Sequence, residues 1–176
     1  MSGSTVELYG ISEKPDRYKR YSAHVFIKDR WVQGKALKAG AAIFDGQAGR
    51  SECVDEMMRL EREAIAAKKG VWSGKMKVFQ SQDVAAISAK SGQMVLVEGV
   101  VQSIGDRSSR LYLNFGQKWS EDFTGFVRRK GREAYRGDIN ELVALKGKRI
   151  RIRGVLEESG GPMIRIFHEA QISIED

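Results

Sequence analysis

Residues 149–156 read RIRIRGVL, with an arginine at 149, 151 and 153 and aliphatics between them. A period of two is that of a pleated strand, so Arg149, Arg151 and Arg153 go to one face and Ile150 and Ile152 to the other. Residues 163–167 repeat the pattern, with Arg165 between Ile164 and Ile166. Working outward, residues 94–104, 110–115 and 122–128 also read as strands, separated by Gly, Asp, Ser and Pro signals. One helical piece interrupts the series: Asp138 caps Ile139 to Leu145, and Gly147 ends it before the fourth strand. Five strands with a helix between the third and fourth give the order of an OB-fold, a small Greek-key barrel. Residues 170–174 extend or flank its fifth strand.

Upstream of Gln93 the period changes. Residues 73–92 are rich in Ser, Lys, Gln and Ala, and we read 75–92 as a linker holding at most a short helical turn. Before it stands an amphipathic helix: Ser51 as cap, Glu52, Asp55 and Glu56 in its first turns, Lys68 and Lys69 before Gly70. Cys53, Met57, Leu60, Ala64, Ala67 and Val71 form its buried stripe, which makes Cys53 a core residue. A shorter helix, capped by Asp29, carries Trp31, Val32, Ala36 and Leu37 and stops at Gly40. Residues 5–11 and 20–27 read as the strands of a hairpin. The fold class is therefore α+β, mainly β with helices. It comprises a partial barrel of a hairpin plus two helices over residues 1–74, the linker, and a five-stranded OB-like barrel over residues 93–176.

The 176 residues carry a net charge of +7 and a pI near 9.6, a balance that favours polyanionic partners. Residues 1–90 hold 16 basic against 11 acidic side chains, and residues 91–176 hold 14 against 12, so the excess is spread with a forward bias. A single cysteine excludes an internal disulfide framework and a multi-cysteine zinc site, and two histidines leave little for a histidine metal centre. His24 and His168, each within or at the end of a strand, receive no catalytic role. No run approaches the roughly 18 apolar residues of a membrane span, and the first twenty residues lack the apolar stretch of a signal peptide. The default expectation is a cytoplasmic chain with no membrane partner.

Two places offer chemistry. Residues 14–20, KPDRYKR, interleave Arg17, Lys19 and Arg20 with Tyr18, a composition suited to phosphate contact plus base stacking or, alternatively, to a solvated loop. The stripe of Arg149, Arg151, Arg153 and Arg165 offers a second nucleic-acid contact. Tyr112, Phe115, Trp119 and Phe123 lie on or near strands two and three, where OB barrels bind single strands or sugars. The alternative is that these aromatics fill a small core and the arginines keep an edge soluble.

Residues 5–73 resemble the C-terminal part of the staphylococcal-nuclease-like (thermonuclease) family. The resemblance is carried by Asp16-Arg17-Tyr18-Lys19-Arg20, Ala23-His24-Val25-Phe26, the helix from Trp31-Val32-Gln33 to Ala39-Gly40, and the run from Leu60-Glu61 to Gly70-Val71-Trp72. Residues 94–176, with Tyr112-Leu113-Asn114-Phe115-Gly116, Trp119, Asp122-Phe123-Thr124 and Arg151-Ile152-Arg153-Gly154, resemble the OB-like domain that follows this module in some bacterial members. The resemblance implies a calcium-dependent phosphodiesterase acting on DNA and RNA. Arg20 matches a catalytic arginine that neutralises the pentavalent phosphorus, Arg17 and Tyr18 match nucleotide-side positions, and Lys19 stands where a glycine is usual.

The family's metal-binding aspartates, second arginine and catalytic glutamate lie in an N-terminal half that has no counterpart ahead of Thr5. Near Arg20 the acids are Glu7, Glu13 and Asp16, without recognisable calcium spacing. We therefore expect no cofactor in this chain, calcium entering only by resemblance, and no hydrolysis by this chain alone. A lone hairpin also leaves open edges, to be covered by an N-terminal segment, a second copy of the chain or the C-terminal barrel. Three readings follow: a nuclease-family hydrolase completed from elsewhere, a non-catalytic nucleic-acid-binding module, and a protein-interaction scaffold.

Overall fold

A computed structural model describes residues 5–10, 14–46, 53–118, 120–131 and 134–175. The chain divides into two compact units, Met1–Phe44 with Ala48–Met76, and Asp45–Gln47 with Lys77–Asp176. The expected helix cap Ser51, the neighbouring Glu52, the acid Glu13 and the aromatic Trp119 lie outside the described residues.

In the first unit, β1 (Glu7–Tyr9) runs antiparallel to β2 (His24–Ile27), with Leu8 opposite Val25. β2 pairs in turn with a two-residue β3 (Arg30–Trp31). Lys28 and Asp29 make the turn between them, so the helix expected to start at Asp29 starts later, as α1 (Val32–Lys38) with Trp31 at its N-cap. Gln33 pins α1 to the hairpin: its Oε1 accepts the Val25 N–H at 3.0 Å and its Nε2 donates to the Ala23 carbonyl at 2.9 Å. The second helix, α2 (Val54–Ala66), buries Met57, Leu60 and Ala64, as the stripe predicts. Cys53 caps it and is partly buried rather than in the core. Glu61, a residue the pattern would send to solvent, is fully buried, and its Oε1 accepts the Phe44 N–H at 2.8 Å. Gly40 and Gly70 both have positive φ, and a Cβ on either would collide with backbone beside the other. The Val71 N–H to Gly40 carbonyl bond, 2.9 Å, requires that close approach.

The second unit holds β4 (Val78–Gln80), α3 (Val84–Ser88), β5 (Met94–Val100), β6 (Ser103–Asp106), β7 (Arg110–Asn114), β8 (Thr124–Arg128), α4 (Ile139–Val143), β9 (Arg149–Glu158), β10 (Pro162–Arg165) and β11 (Ile172–Ile174). The sheet is eight-stranded, in the order β4-β5-β9-β10-β8-β7-β6, with β11 also on β9. Three expectations are corrected. The ladder is an open path, not a closed five-stranded barrel. The strand read over residues 94–104 breaks at Val101 and Gln102, because its halves bond to different neighbours: the Val101 N–H donates to Lys148 O and the Gln102 N–H to Asn114 O. Residues 77–92 are also built into this unit and are not a linker. β4 pairs in parallel with β5, and Phe79 and Ile87 enter the core.

Alternate residues of β5, β7, β8 and β9 face inward, among them Val95, Val97, Leu111, Leu113, Ile150 and Ile152, at 0–1% exposure. Each such side chain contributes roughly 1.5–3 kcal/mol relative to leaving it in water. Asp138 caps α4 as expected, its Oδ1 accepting the Asn140 N–H at 2.8 Å. Among the described residues no helix is long and apolar enough to cross a membrane.

Gln171 closes the unit from below. Its Oε1 accepts the N–H groups of Phe167 and His168, and its Nε2 donates to the carbonyls of Arg153 and Arg165, so one buried amide ties β9, β10 and the turn before β11 together. Gln171→Leu fills the space but leaves those four backbone groups without this partner. We expect unfolding free energy to fall by about 3 kcal/mol, read from urea denaturation.

Candidate nucleic-acid interface

The loop carrying the expected catalytic arginine is organised by Asp16. Its Oδ1 accepts the N–H groups of Tyr18 and Arg20 at 2.8 and 3.0 Å, and its Oδ2 accepts Arg20 Nε and lies 2.7 Å from Arg20 Nη2. The backbone N–H of Arg20 and then its side chain hold the Asp16 carboxyl below the usual carboxylate range. Lys19 sits at φ 61°, the left-handed conformation that the glycine usual at this position adopts without strain. The guanidiniums of Arg17 and Arg20 lie over the Tyr18 ring, 4.7 and 5.1 Å from its centroid. The loop thus presents Arg17, Tyr18, Lys19 and Arg20 together on an exposed surface, with Arg20 already engaged by a carboxylate.

The described acids near Arg20, Asp16 and Glu7, do not fit a calcium centre. Both oxygens of Asp16 are taken by donors of its own loop, and Glu7 Oε2 accepts the Tyr9 hydroxyl. Among the described residues no three His, Cys, Asp or Glu side chains gather as metal ligands. The two histidines hold structural positions. His24 Nδ1 accepts Trp31 Nε1 at 3.2 Å, and the His168 side chain accepts the Gln171 N–H.

The arginine stripe of β9 is on one face, as the alternation predicts, and it is met by acids. Glu98, opposite Arg151 on β5, takes Arg149 on one oxygen and Arg151 on the other, both at 2.8 Å, and Arg151 also reaches Glu175. Burial pushes the Glu98 carboxyl up, but hydrogen bonds from Arg151 and Arg149 outweigh it and hold the group below its ordinary value. Arg153 is only 3% exposed. Arg165 pairs with Glu157 at 3.2 Å and lies over the rings of Phe126 and Phe167.

Two further arginines of this unit lie on another part of the sheet. On the outer face of β6, β7 and β8, the register aligns Gly105, Tyr112 and Phe126 in one row and Ser103, Asn114 and Thr124 in the next. The rows border a groove of about 280 Å³ lined by Arg107, Arg110, Tyr112, Asn114, Thr124 and Met163, among others. Neither Arg107 nor Arg110 pairs with a carboxylate among the described residues. Arg107 reaches only the Asp106 carbonyl at 3.5 Å, and Arg110 rests 5.4 Å over Phe126. Asn114 Nδ2 donates to Ser103 Oγ at 3.1 Å, and Thr124 Oγ1 is buried without a partner. Of the aromatics expected here, Tyr112 lines the groove, while Phe115 and Phe123 pack against each other in the core, their rings 5.1 Å apart and tilted by 52°. Arg107, Arg110, Asn114 and Thr124 escaped the sequence reading, although Arg110 and Asn114 share the strand parity of Tyr112.

Asp16 sets a pH dependence. A depressed carboxylate stabilises the loop above its unfolded value, about 3.9, and that contribution disappears as pH falls through the lower folded value. The Arg20 Nε–H resonance should hold its position from neutral pH down to about 4 and move only below it. In Asp16→Asn no such acid transition is expected.

Comparison with known proteins returns the family described as staphylococcal nuclease homologue over residues 2–74. No curated protein matches. Among solved structures, the aspartyl tRNA synthetase of Entamoeba histolytica is 11% identical with a TM-score of 0.39, over 60% of this chain and 22% of the synthetase. An OBody bound to hen egg-white lysozyme is 19% identical with a TM-score of 0.34, over 50% of this chain and 84% of the OBody. Neither likeness bears on what this chain binds. The N-terminal part of the chain, by contrast, is similar to the staphylococcal nuclease homologues along residues 2–74.

Proposed function

We propose that this protein is a nuclease-family relative that binds single-stranded nucleic acid and does not hydrolyse it unaided. The observation that carries the reading is the groove: two arginines without carboxylate partners among the described residues stand beside a partly buried tyrosine ring on one sheet face. Unpaired guanidiniums hold phosphates by charge-assisted hydrogen bonds, and an aromatic face stacks a base at little cost in specificity. The Arg17–Arg20 loop supplies a second set of cations around Tyr18. The ion-paired arginines of β9 keep their carboxylates and contribute little.

Hydrolysis needs more than an electrophilic arginine. Arg20 is occupied by Asp16, and among the described residues no three His, Cys, Asp or Glu side chains gather as metal ligands; general-base assistance alone is worth roughly two to four powers of ten. Arg20 in this chain serves to order its loop through Asp16, and Arg17 and Lys19 are left to meet a phosphate.

Anisotropy with a labelled single-stranded 12-mer tests the reading. Binding should weaken steeply with salt. The double variant Arg107→Ala/Arg110→Ala should lower affinity at least tenfold and flatten the log–log salt slope by about 1.4, roughly 0.7 per lost phosphate contact. Arg149→Ala should stay within about twofold of the parent, since its charge is already met by Glu98. No binding at low salt overturns the proposal. So does calcium-dependent cleavage by the purified chain that disappears in Arg20→Ala, for the non-hydrolytic half.

A further inference from the structure

We propose that the outer edge of β11 is a self-association surface, on which a second copy of this chain adds its own β11 antiparallel. The proposal stands apart from the nucleic-acid reading and uses no residue of the groove on β6, β7 and β8. β11 pairs with β9 on one side and has no second strand among the described residues. The Glu175 N–H donates to the Arg149 carbonyl, so by the antiparallel alternation Ser173 bonds toward Arg151, and Ile172 and Ile174 turn their backbone groups outward. The Ile172 N–H is already taken by the Glu169 carbonyl. Ile172 thus keeps an outward acceptor and Ile174 an outward donor. A two-fold axis at Ser173 sets the Ile174 N–H of each copy against the Ile172 carbonyl of the other, and closes two backbone hydrogen bonds together.

The side chains along this edge are complementary under the same axis. An open groove of about 340 Å³ lies beside β11, with Leu142, Leu145, Ile172 and Ile174 as its apolar lining. Ile174 is 59% exposed, an apolar side chain in water on an edge strand. Glu169 lies in the turn before β11. Lys148 precedes Arg149, whose carbonyl accepts the Glu175 N–H, and so lies past the other end of the strand. Both line the groove, Glu141 adds a further carboxylate, and none of the three is ion-paired among the described residues. Antiparallel addition brings the start of one β11 to the end of the other, so Glu169 of each copy meets Lys148 of its mate. A three-residue edge is small, and the association belongs to the weak, concentration-dependent class.

Sedimentation equilibrium on the full chain, without oligonucleotide, tests the proposal. The mass should rise with concentration toward twice the 19.7 kDa of one chain. Ile174→Lys places on the edge the charge that edge strands use against pairing, and should leave a folded monomer. Lys148→Glu and Glu169→Lys should each weaken self-association roughly tenfold, because two symmetry-related contacts turn from attraction to repulsion. An equimolar mixture of those two variants should recover the parent's affinity, since opposite charges then meet at both contacts. That mixture carries the test even where Ile174→Lys loses its fold. A parent chain that stays monomeric at about 0.1 mM overturns the proposal. So does a dimer that survives Ile174→Lys, or a mixture that associates no more tightly than either variant alone; such a dimer uses another surface.

Discussion

Glu98 stands opposite Arg151 in the β5–β9 ladder and holds Arg149 with its other oxygen, and the electrostatic layout of the C-terminal unit depends on that clamp. A partly buried carboxylate flanked by two guanidiniums stays ionised and fixes both in place. Glu175 adds a second acid to Arg151, and Glu157 takes Arg165. Four arginines that read as a basic stripe thus become part of the scaffold. The consequence is a contrast within one sheet: Arg149, Arg151 and Arg165 on β9 and β10 have their carboxylates, while Arg107 and Arg110 on the β6–β7 side have none among the described residues.

Some of the fold is legible residue by residue. Asp138 before an apolar triplet announces a capped helix, and the cap is made. The stripe of Met57, Leu60 and Ala64 announces the buried face of α2. These signals are local, because a helix satisfies its backbone within itself. The misreadings have a non-local cause. Val101 and Gln102 sit in an unbroken β-like run, and nothing in their side chains says that Val100 pairs with β9 while Ser103 pairs with β7. β4 is three residues long and pairs in parallel, so it offers too few positions for an alternation to register. Phe79 and Ile87 were the available clues, isolated apolar residues in a polar stretch that a partner strand had to claim.

The site divides along the same line. Which face Arg149, Arg151 and Arg153 share follows from the pleat alone, but whether a charge is free follows from what stands across the ladder. Tyr112 was visible as an aromatic on a strand; Arg110 and Asn114 have its parity and become visible once that strand is taken as a binding face. Thr124 belongs to a quoted motif but carries no sequence signal for binding, since its interest lies in a hydroxyl without a partner among the described residues. Lys19 is the reverse case. It stands where a glycine is usual, and the backbone keeps φ 61° there while Asp16 accepts from both Tyr18 and Arg20 and braces the turn.

That Asp16 network also changes what Arg20 is. A guanidinium that stabilises charge on a reacting phosphoryl group must meet that charge unpaired, or exchange a carboxylate for it at the moment of reaction. Here the exchange would leave Asp16 facing the substrate 2.7 Å from where its partner stood, a like charge beside a phosphate. Arg17, on the same loop and stacked over Tyr18, has no such competitor among the described residues. The net charge of +7 therefore locates nothing by itself. Among the described residues Arg17 and Lys19 on the hairpin and Arg107 and Arg110 on the sheet have no carboxylate partner, and that is the ground on which they, rather than Arg149 and Arg151, are proposed as contacts.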